Sequence, residues 1–431
     1  MRTIQQVAPL IRDGQLTPMD LLHECWNAID EHESRIRAWA FLDRESAQQQ
    51  AVQLTEELRR GQYRGPLHGI PVGIKDIIDV FDWPTAAGST EWQSAYARQD
   101  ADCVRSLRQA GAVLLGKTVT TAYASFDPSP TRNPHDLTRT PGGSSSGSAA
   151  AVATGMCYAA LASQTGGSIT RPASYCGVWS LKPSWGAVST NGVLPLAPSM
   201  DHIGVMARDV HDLAMVYQVI YQPMEMGYPA LPDLLLAMEE GPAVTRLGRL
   251  RGFFDQHTDP EMQAAMDAFC DELRGDDWQI IDIGLPGSFA EVSARHRTIM
   301  AVEAAAYHQT RFERKPQDYP PRISELLREG IATSAPEYRH AQLHQGLLRE
   351  AMATLFDDVG VLLTPATTGP APDAATTGDP AYNSPWSYLG LPTVSFPIAT
   401  SRDGLPLCAQ LIGAADAEAE VLAVAARLVA E

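Results

Sequence analysis

Lysine is scarce in this 431-residue chain: of 33 basic residues only Lys75, Lys117, Lys182 and Lys315 are lysine, and arginine supplies the rest. A lysine here asks for a reason. Positive charge is short overall, because 51 acidic residues leave a net charge of −18, and a dense cationic surface is what phosphate backbones and anionic lipid require. Neither direct nucleic-acid nor membrane partners are therefore expected. The six cysteines, Cys25, Cys103, Cys157, Cys176, Cys270 and Cys408, form no C-x-x-C pair, which excludes a zinc ribbon and suits a reducing cytoplasm. The 11 histidines show no H-E-x-x-H spacing, so no metal and no cofactor are expected. Long apolar runs are missing too. The longest, around Ala149 to Ala162, is broken by Thr154 and Gly155, and falls short of a membrane span. Met1 to Gln15 carries Arg2, Arg12 and Asp13 and reads as an amphipathic helix instead of a secretory signal, which places the protein in the cytoplasm.

What remains, 45% hydrophobic and 19% charged, is a globular protein with a large core. Residues 1–65 read as helix, helix, short strand, helix. Thr17 is a helix N-cap followed by Pro18 at the first helical position, with Leu21, Leu22, Cys25, Trp26 and Ile29 at helical spacing. From residue 70, short β-rich runs (Ile70 to Ile74, Val113 to Leu115, Val178 to Leu181) alternate with Ala-rich helical ones, the pattern of an α/β protein. Pro223 to Pro242 lacks a period and reads as a surface linker. Beyond it come a strand from Leu247 to Phe254, a helix from Asp259 to Leu273, a strand from Gln279 to Ile283 and polar helices through Glu350. Strands Val359 to Pro365, Thr393 to Ile398 and Leu405 to Ile412 and a helix from Ala415 close the chain. One large domain is expected over 1–431: an N-terminal helical segment (1–65), a core (66–221), a mostly helical, cap-like region (222–350) and C-terminal strands completing the sheet (351–431).

Thr140 to Thr170 is 31 residues without Asp, Glu, Lys, Arg or His, a composition that belongs inside a protein. Within it two Gly/Ser turns, 141–148 and 164–168, flank a helix and a strand of small residues, which lets backbones approach closely. A flexible linker does not lead so directly into ordered elements. A phosphate loop would end in Gly-Lys-Ser/Thr, and here Gly147 precedes Ser148 and Ala149. Gly143 to Gly147 also matches the G-x-S-x-G elbow and nominates Ser145. An elbow needs a buried strand before it, however, and 133–141 is polar with two prolines. A serine nucleophile must give its proton to a base. With no histidine signature, a desolvated lysine is the remaining candidate, and Lys75 sits in the apolar run Ile70 to Ile78, where burial favours the neutral amine. The rival for Lys75 is a strand-end lysine snorkelling to water. Lys117 and Lys182 also lie in apolar runs and would be the alternative bases, or else members of structural ion pairs.

Three blocks, His68 to Asp76, Arg139 to Ala150 and Gln164 to Ser168, together resemble the signature of the amidase signature family. Their order and spacing, 69 residues from Lys75 to Ser144 and 24 from Ser144 to Ser168, support one another. The similarity continues through Cys176 to Val178, Leu181 to Pro183, Ser199 to Gly204, Asn383 to Trp386 and Gly390 to Pro392. The resemblance implies a three-layer α/β/α sandwich around a large mixed sheet and a Ser-Ser-Lys triad that hydrolyses the carbon–nitrogen bond of a small-molecule amide. It makes Ser168 the acylated nucleophile, Ser144 the bridging serine reached through a cis peptide from Gly143, and Lys75 the base. The backbone N–H groups of Thr165, Gly166, Gly167 and Ser168 become the candidate oxyanion hole. By the same analogy, residues 118–135, 190–200, 300–345 and those around Trp386 shape the pocket. Two positions depart from the pattern: Gln164 stands where an acidic residue is frequent, and Arg171 follows one position later than usual. The expected partner is a small amide, with a homodimer allowed. The alternative is a glutamine-hydrolysing subunit of a tRNA-dependent amidotransferase, and a third reading is a catalytically silent scaffold.

Overall fold

The computed structural model describes all residues except 225–226, 244, 276–277 and 431. Thr17 starts the helix Pro18–Ile36: its hydroxyl accepts from the Asp20 N–H, and the Asp20 carboxylate accepts from the Thr17 N–H. The helices Ile4–Arg12 and Arg44–Arg59 complete the expected helical segment around β1 (Trp39–Leu42).

The remaining strands are β2 (Pro71–Lys75), β3 (Val113–Thr118), β4 (Ala159–Gln164), β5 (Trp179–Lys182), β6 (His202–Ala207), β7 (Arg246–Leu250), β8 (Gln279–Ile283), β9 (Val361–Pro365), β10 (Thr393–Thr400) and β11 (Pro406–Gly413). All belong to one mixed sheet, ordered β1-β3-β2-β4-β6-β5-β10-β11-β9-β7-β8. The helices Val210–Ile220 and Glu418–Ala430 pack together on one face, and Ser146–Ala153 and Thr170–Cys176 on the other. The result is the three-layer α/β/α arrangement. β2 and β4 run parallel side by side, with Ile74 opposite Leu161. This register carries Lys75 and Ser163 to the same carboxyl edge, where open α/β sheets place their ligands.

Two boundaries differ from expectation. The segment Pro223 to Pro242 is not wholly a linker: among its described residues Leu234–Glu240 is a helix, capped by Asp233 and burying Leu234 and Met238. Its two anchors are too few to show a period. The strand expected to reach Phe254 stops at Leu250, because Gly252 turns the chain at φ 71° and Phe253–Gln256 is helical. The 222–350 region also adds β7 and β8 to one sheet edge. Of its later helices, Val292–Arg314 and Ala335–Ala353 pack against the short helix Ser384–Leu389.

The helix Ser146–Ala153 sits unusually close to the sheet. Gly147 donates its N–H to the Val119 carbonyl at 2.9 Å, and a Cβ on Gly147 would lie 2.2 Å from the Ala38 carbonyl oxygen. Gly147→Ala is therefore expected to cost about 3 kcal/mol in a denaturant titration. A loss under about 1 kcal/mol would show that this contact is not tight.

Candidate active site

Lys75 ends β2 with no exposed surface. Its Nζ lies 2.7 Å from Ser144 Oγ, 2.7 Å from Ser163 Oγ and 3.4 Å from the Ser163 carbonyl. Among the described residues these contacts include no ion pair. Burial holds the amine well below its ordinary pKa, opposed only by the charge of Asp201. Exclusion from water among hydroxyls favours the neutral amine, which can accept as well as donate a hydrogen bond. The snorkelling alternative fails on burial.

The other two buried lysines do different work. Lys117 Nζ pairs with Asp76 at 3.1 Å and donates to the Pro84 carbonyl and Thr85 Oγ1, each at 3.0 Å, so it ties down the loop after β2. Lys182 donates to the carbonyls of Pro183 and Leu391, and no hydroxyl among the described residues bonds to it. Burial lowers its pKa to about 7.

The Gly143–Ser144 peptide is cis. Ser144 is buried, its carbonyl accepts from the Thr121 N–H at 3.1 Å, and the Gly143 carbonyl accepts from Arg171 Nη2 at 2.8 Å. Arg171, three residues beyond Ser168, thus links the segment carrying Ser168 to the turn carrying Ser144. Its later position in the chain still delivers a guanidinium to this junction. Ser145, the elbow candidate, is sealed inside: its hydroxyl donates to the Ser163 carbonyl at 3.3 Å, with no histidine among its described partners. It fastens the turn to β4.

Ser168 is 8% exposed, and its hydroxyl is unpartnered among the described residues without being sealed from the surface. The loop before it is held from three sides. Gln164 Oε1 accepts the N–H groups of Ile169 at 2.8 Å and Thr170 at 3.0 Å. Gln164 Nε2 donates to Ser387 Oγ, which donates to the Gly166 carbonyl. The neutral amide thus supplies the acceptor that a carboxylate would, and adds a donor. From the cap, His296 Nε2 sits 2.9 Å from the Thr165 carbonyl. Burial lowers its pKa to about 4, so the ring is neutral and Nε2–H donates. Asp201 accepts from Thr165 Oγ1 at 2.5 Å and from the N–H groups of Leu196 and Ala197. With carbonyls and side chains so engaged, the N–H groups of Gly166, Gly167 and Ser168 have no protein acceptor among the described residues.

Sequence reasoning missed Ser163 and His296. Ser163 lies in the uncharged run but carries no motif of its own, and only the β2–β4 register brings it to Lys75. His296 is a single histidine on a long helix, 131 residues from its partner. The position of Ser163 at the end of a strand of small residues, just before the Gly/Ser turn, was the available signal for the first; nothing local marked the second.

A cavity of about 190 Å³ opens beside Ser163 and Thr165. The expected segments 190–200 and 118–135 contribute to its wall, the latter through Ala124. Residues 300–345 do not line it. They act from behind, where Glu303 accepts from the Ser199 N–H and hydroxyl. Of the residues around Trp386, Ser387 meets the loop of the site through Gln164 and the Gly166 carbonyl, while Trp386 itself is fully buried and stacks on Phe254. No group of three or more metal-ligating side chains occurs among the described residues.

The Amidase family model matches residues 20–422. An amidase of Pseudomonas putida is 34% identical over 428 residues, covering 94% of this chain and 90% of that protein. A glutamyl-tRNA(Gln) amidotransferase subunit of Acidobacterium capsulatum is 32% identical over 457 residues, covering 96% of each. The solved peptide amidase of Stenotrophomonas maltophilia superposes with a TM-score of 0.88 at 28% identity, over 99% of this chain and 96% of that one. The chain belongs to the amidase signature family. It is an enzyme that hydrolyses amide bonds.

The lowered pKa of Lys182 has a measurable consequence. Between about 7 and its ordinary 10.5 the unfolded chain binds a proton that the folded chain does not, so stability rises with pH across that window by at most about 1.4 kcal/mol per unit. Lys182→Met removes the group. The difference in unfolding free energy between variant and parent is expected to slope from pH 7 to 10 and flatten below; a pH-independent difference would contradict the shift.

Proposed function

We propose that Ser168 is the acylated nucleophile, Ser144 the bridge and neutral Lys75 the base. The observation carrying this is a desolvated amine 2.7 Å from Ser144 Oγ on the turn that Arg171 joins to the Ser168 segment. As Ser168 Oγ attacks the amide carbonyl, its proton passes to Ser144 Oγ, whose own proton passes to Lys75 Nζ. The tetrahedral oxyanion is met by the free N–H groups around Gly166, Gly167 and Ser168, with Thr165 at the head of the loop, each donor lowering the barrier by about 3 kcal/mol. On collapse the carbon–nitrogen bond breaks and the relay returns a proton to the leaving amine. Water then adds to the ester by the same path and releases the acid. The six buried free thiols suit action in a reducing compartment, and the reading needs no partner protein.

The second reading, a glutamine-hydrolysing subunit that passes ammonia onward, is favoured by the similarity to the amidotransferase subunit. It predicts that ammonia release from glutamine outpaces release from simple amides and rises when two further subunits co-purify.

Ser168→Ala, Ser144→Ala and Lys75→Met should each lower kcat/KM on a simple aryl amide by on the order of 10⁴-fold. A fluorophosphonate should label Ser168 stoichiometrically. Full turnover by Ser168→Ala or Lys75→Met would end the proposal. Because protonated Lys75 cannot accept a proton, kcat/KM should fall as pH drops through its lowered pKa. A rate that stays flat into mildly acidic solution would contradict the base assignment.

A further inference from the structure

The cavity beside Ser163 and Thr165 has a definite chemistry. Its volume of about 190 Å³ exceeds the roughly 150 Å³ that accommodates a benzene ring in a protein interior. Ile77, Val193, Leu194, Leu196 and Ile203 supply most of its wall, with Pro195 and Pro198 between them. Ile77 follows Lys75 by two residues, Ser163 lines the cavity while its hydroxyl contacts the Lys75 amine, and Thr165 heads the loop to Ser168, so the space lies one side chain away from the Lys75 amine.

The side-chain polar groups in the wall are three hydroxyls and one carboxylate, and all are engaged: Ser163 with the Lys75 amine, Thr165 with Asp201, and Thr190 with Met224 Sδ. Among the described residues Asp201 is the only charged type there, and its oxygens are turned into its own loop, accepting from Thr165 Oγ1 and from the N–H groups of Leu196 and Ala197. No described Lys, Arg or His lines the cavity. A substrate carboxylate placed there would lose its hydration and face a carboxylate; an ammonium would find Asp201 occupied. Either costs more than the cavity returns.

We propose that this enzyme acts on uncharged amides bearing an apolar group of about phenyl size next to the scissile bond, and that the cavity beside Ser163 and Thr165 selects that group. This rests on the triad reading above. The apolar group belongs either to the acyl part or to the amine, and the substrates below separate the two.

The test is kcat/KM of the full-length protein for acetamide, benzamide, acetanilide, glutamine and malonamate. Benzamide or acetanilide is expected to exceed acetamide at least tenfold, the better of the two showing which side of the bond the cavity receives. Glutamine and malonamate should fall at least tenfold below it. Filling the space with Val193→Phe should lower the ratio of the preferred aromatic substrate to acetamide at least fivefold, while Leu196→Ala should raise 2-naphthamide relative to benzamide. Fluorophosphonate labelling of Ser168 and a thermal melt confirm that each variant is folded. Parity of glutamine or malonamate with benzamide, or an unchanged substrate ratio in folded Val193→Phe, overturns the inference and leaves the triad standing. Absence of any Ser168-dependent amide cleavage overturns both.

Discussion

An amine kept out of water is the constraint around which this molecule is arranged. In solvent a lysine side chain holds its proton, whereas exclusion from water makes the charged form costly and favours the neutral amine. Burial at the end of β2 does this, and the lack of a contacting carboxylate among the described residues is as important as the apolar surroundings. Lys117 shows the contrast: equally buried, it has Asp76 at 3.1 Å and keeps a structural part. Lys75 has two serine hydroxyls instead, which solvate the amine without compelling it to carry charge.

The same economy governs the loop that carries Ser168. Backbone donors can stabilise a developing oxyanion only if nothing else consumes them and if they do not move when charge appears. Here the carbonyls and side chains of residues 164–166 are engaged by Ser387, His296, Asp201 and the N–H groups that Gln164 holds, while the N–H groups of Gly166, Gly167 and Ser168 are left without described protein acceptors. Gln164 shows how a departure from a family's usual residue is absorbed. Its amide oxygen accepts the same kind of backbone N–H bonds, and its amide nitrogen finds a hydroxyl that an anion would not have engaged as a donor.

Much of this is legible in the linear chain. Scarce lysine and a 31-residue stretch without charge, with two Gly/Ser turns, mark out the lysines and serines that could react, and the resemblance to the family singles out Lys75, Ser144 and Ser168 among them. The first helices are legible too, because capping is local: Thr17 and Asp20 satisfy each other within one turn. The helix at Leu234–Glu240 escapes notice since two buried anchors make no periodic pattern.

What the sequence determined by itself was the chemical inventory: which serines and which few lysines lie in uncharged or apolar stretches and are available to react. What only tertiary structure decided was the company each one keeps. Ser163 reaches Lys75 through the pairing of two parallel strands, Arg171 reaches Gly143 across a turn, and His296 reaches Thr165 from a distant helix. Those meetings depend on strand register and helix packing, which integrate contacts over the whole chain, so no local stretch of residues encodes them.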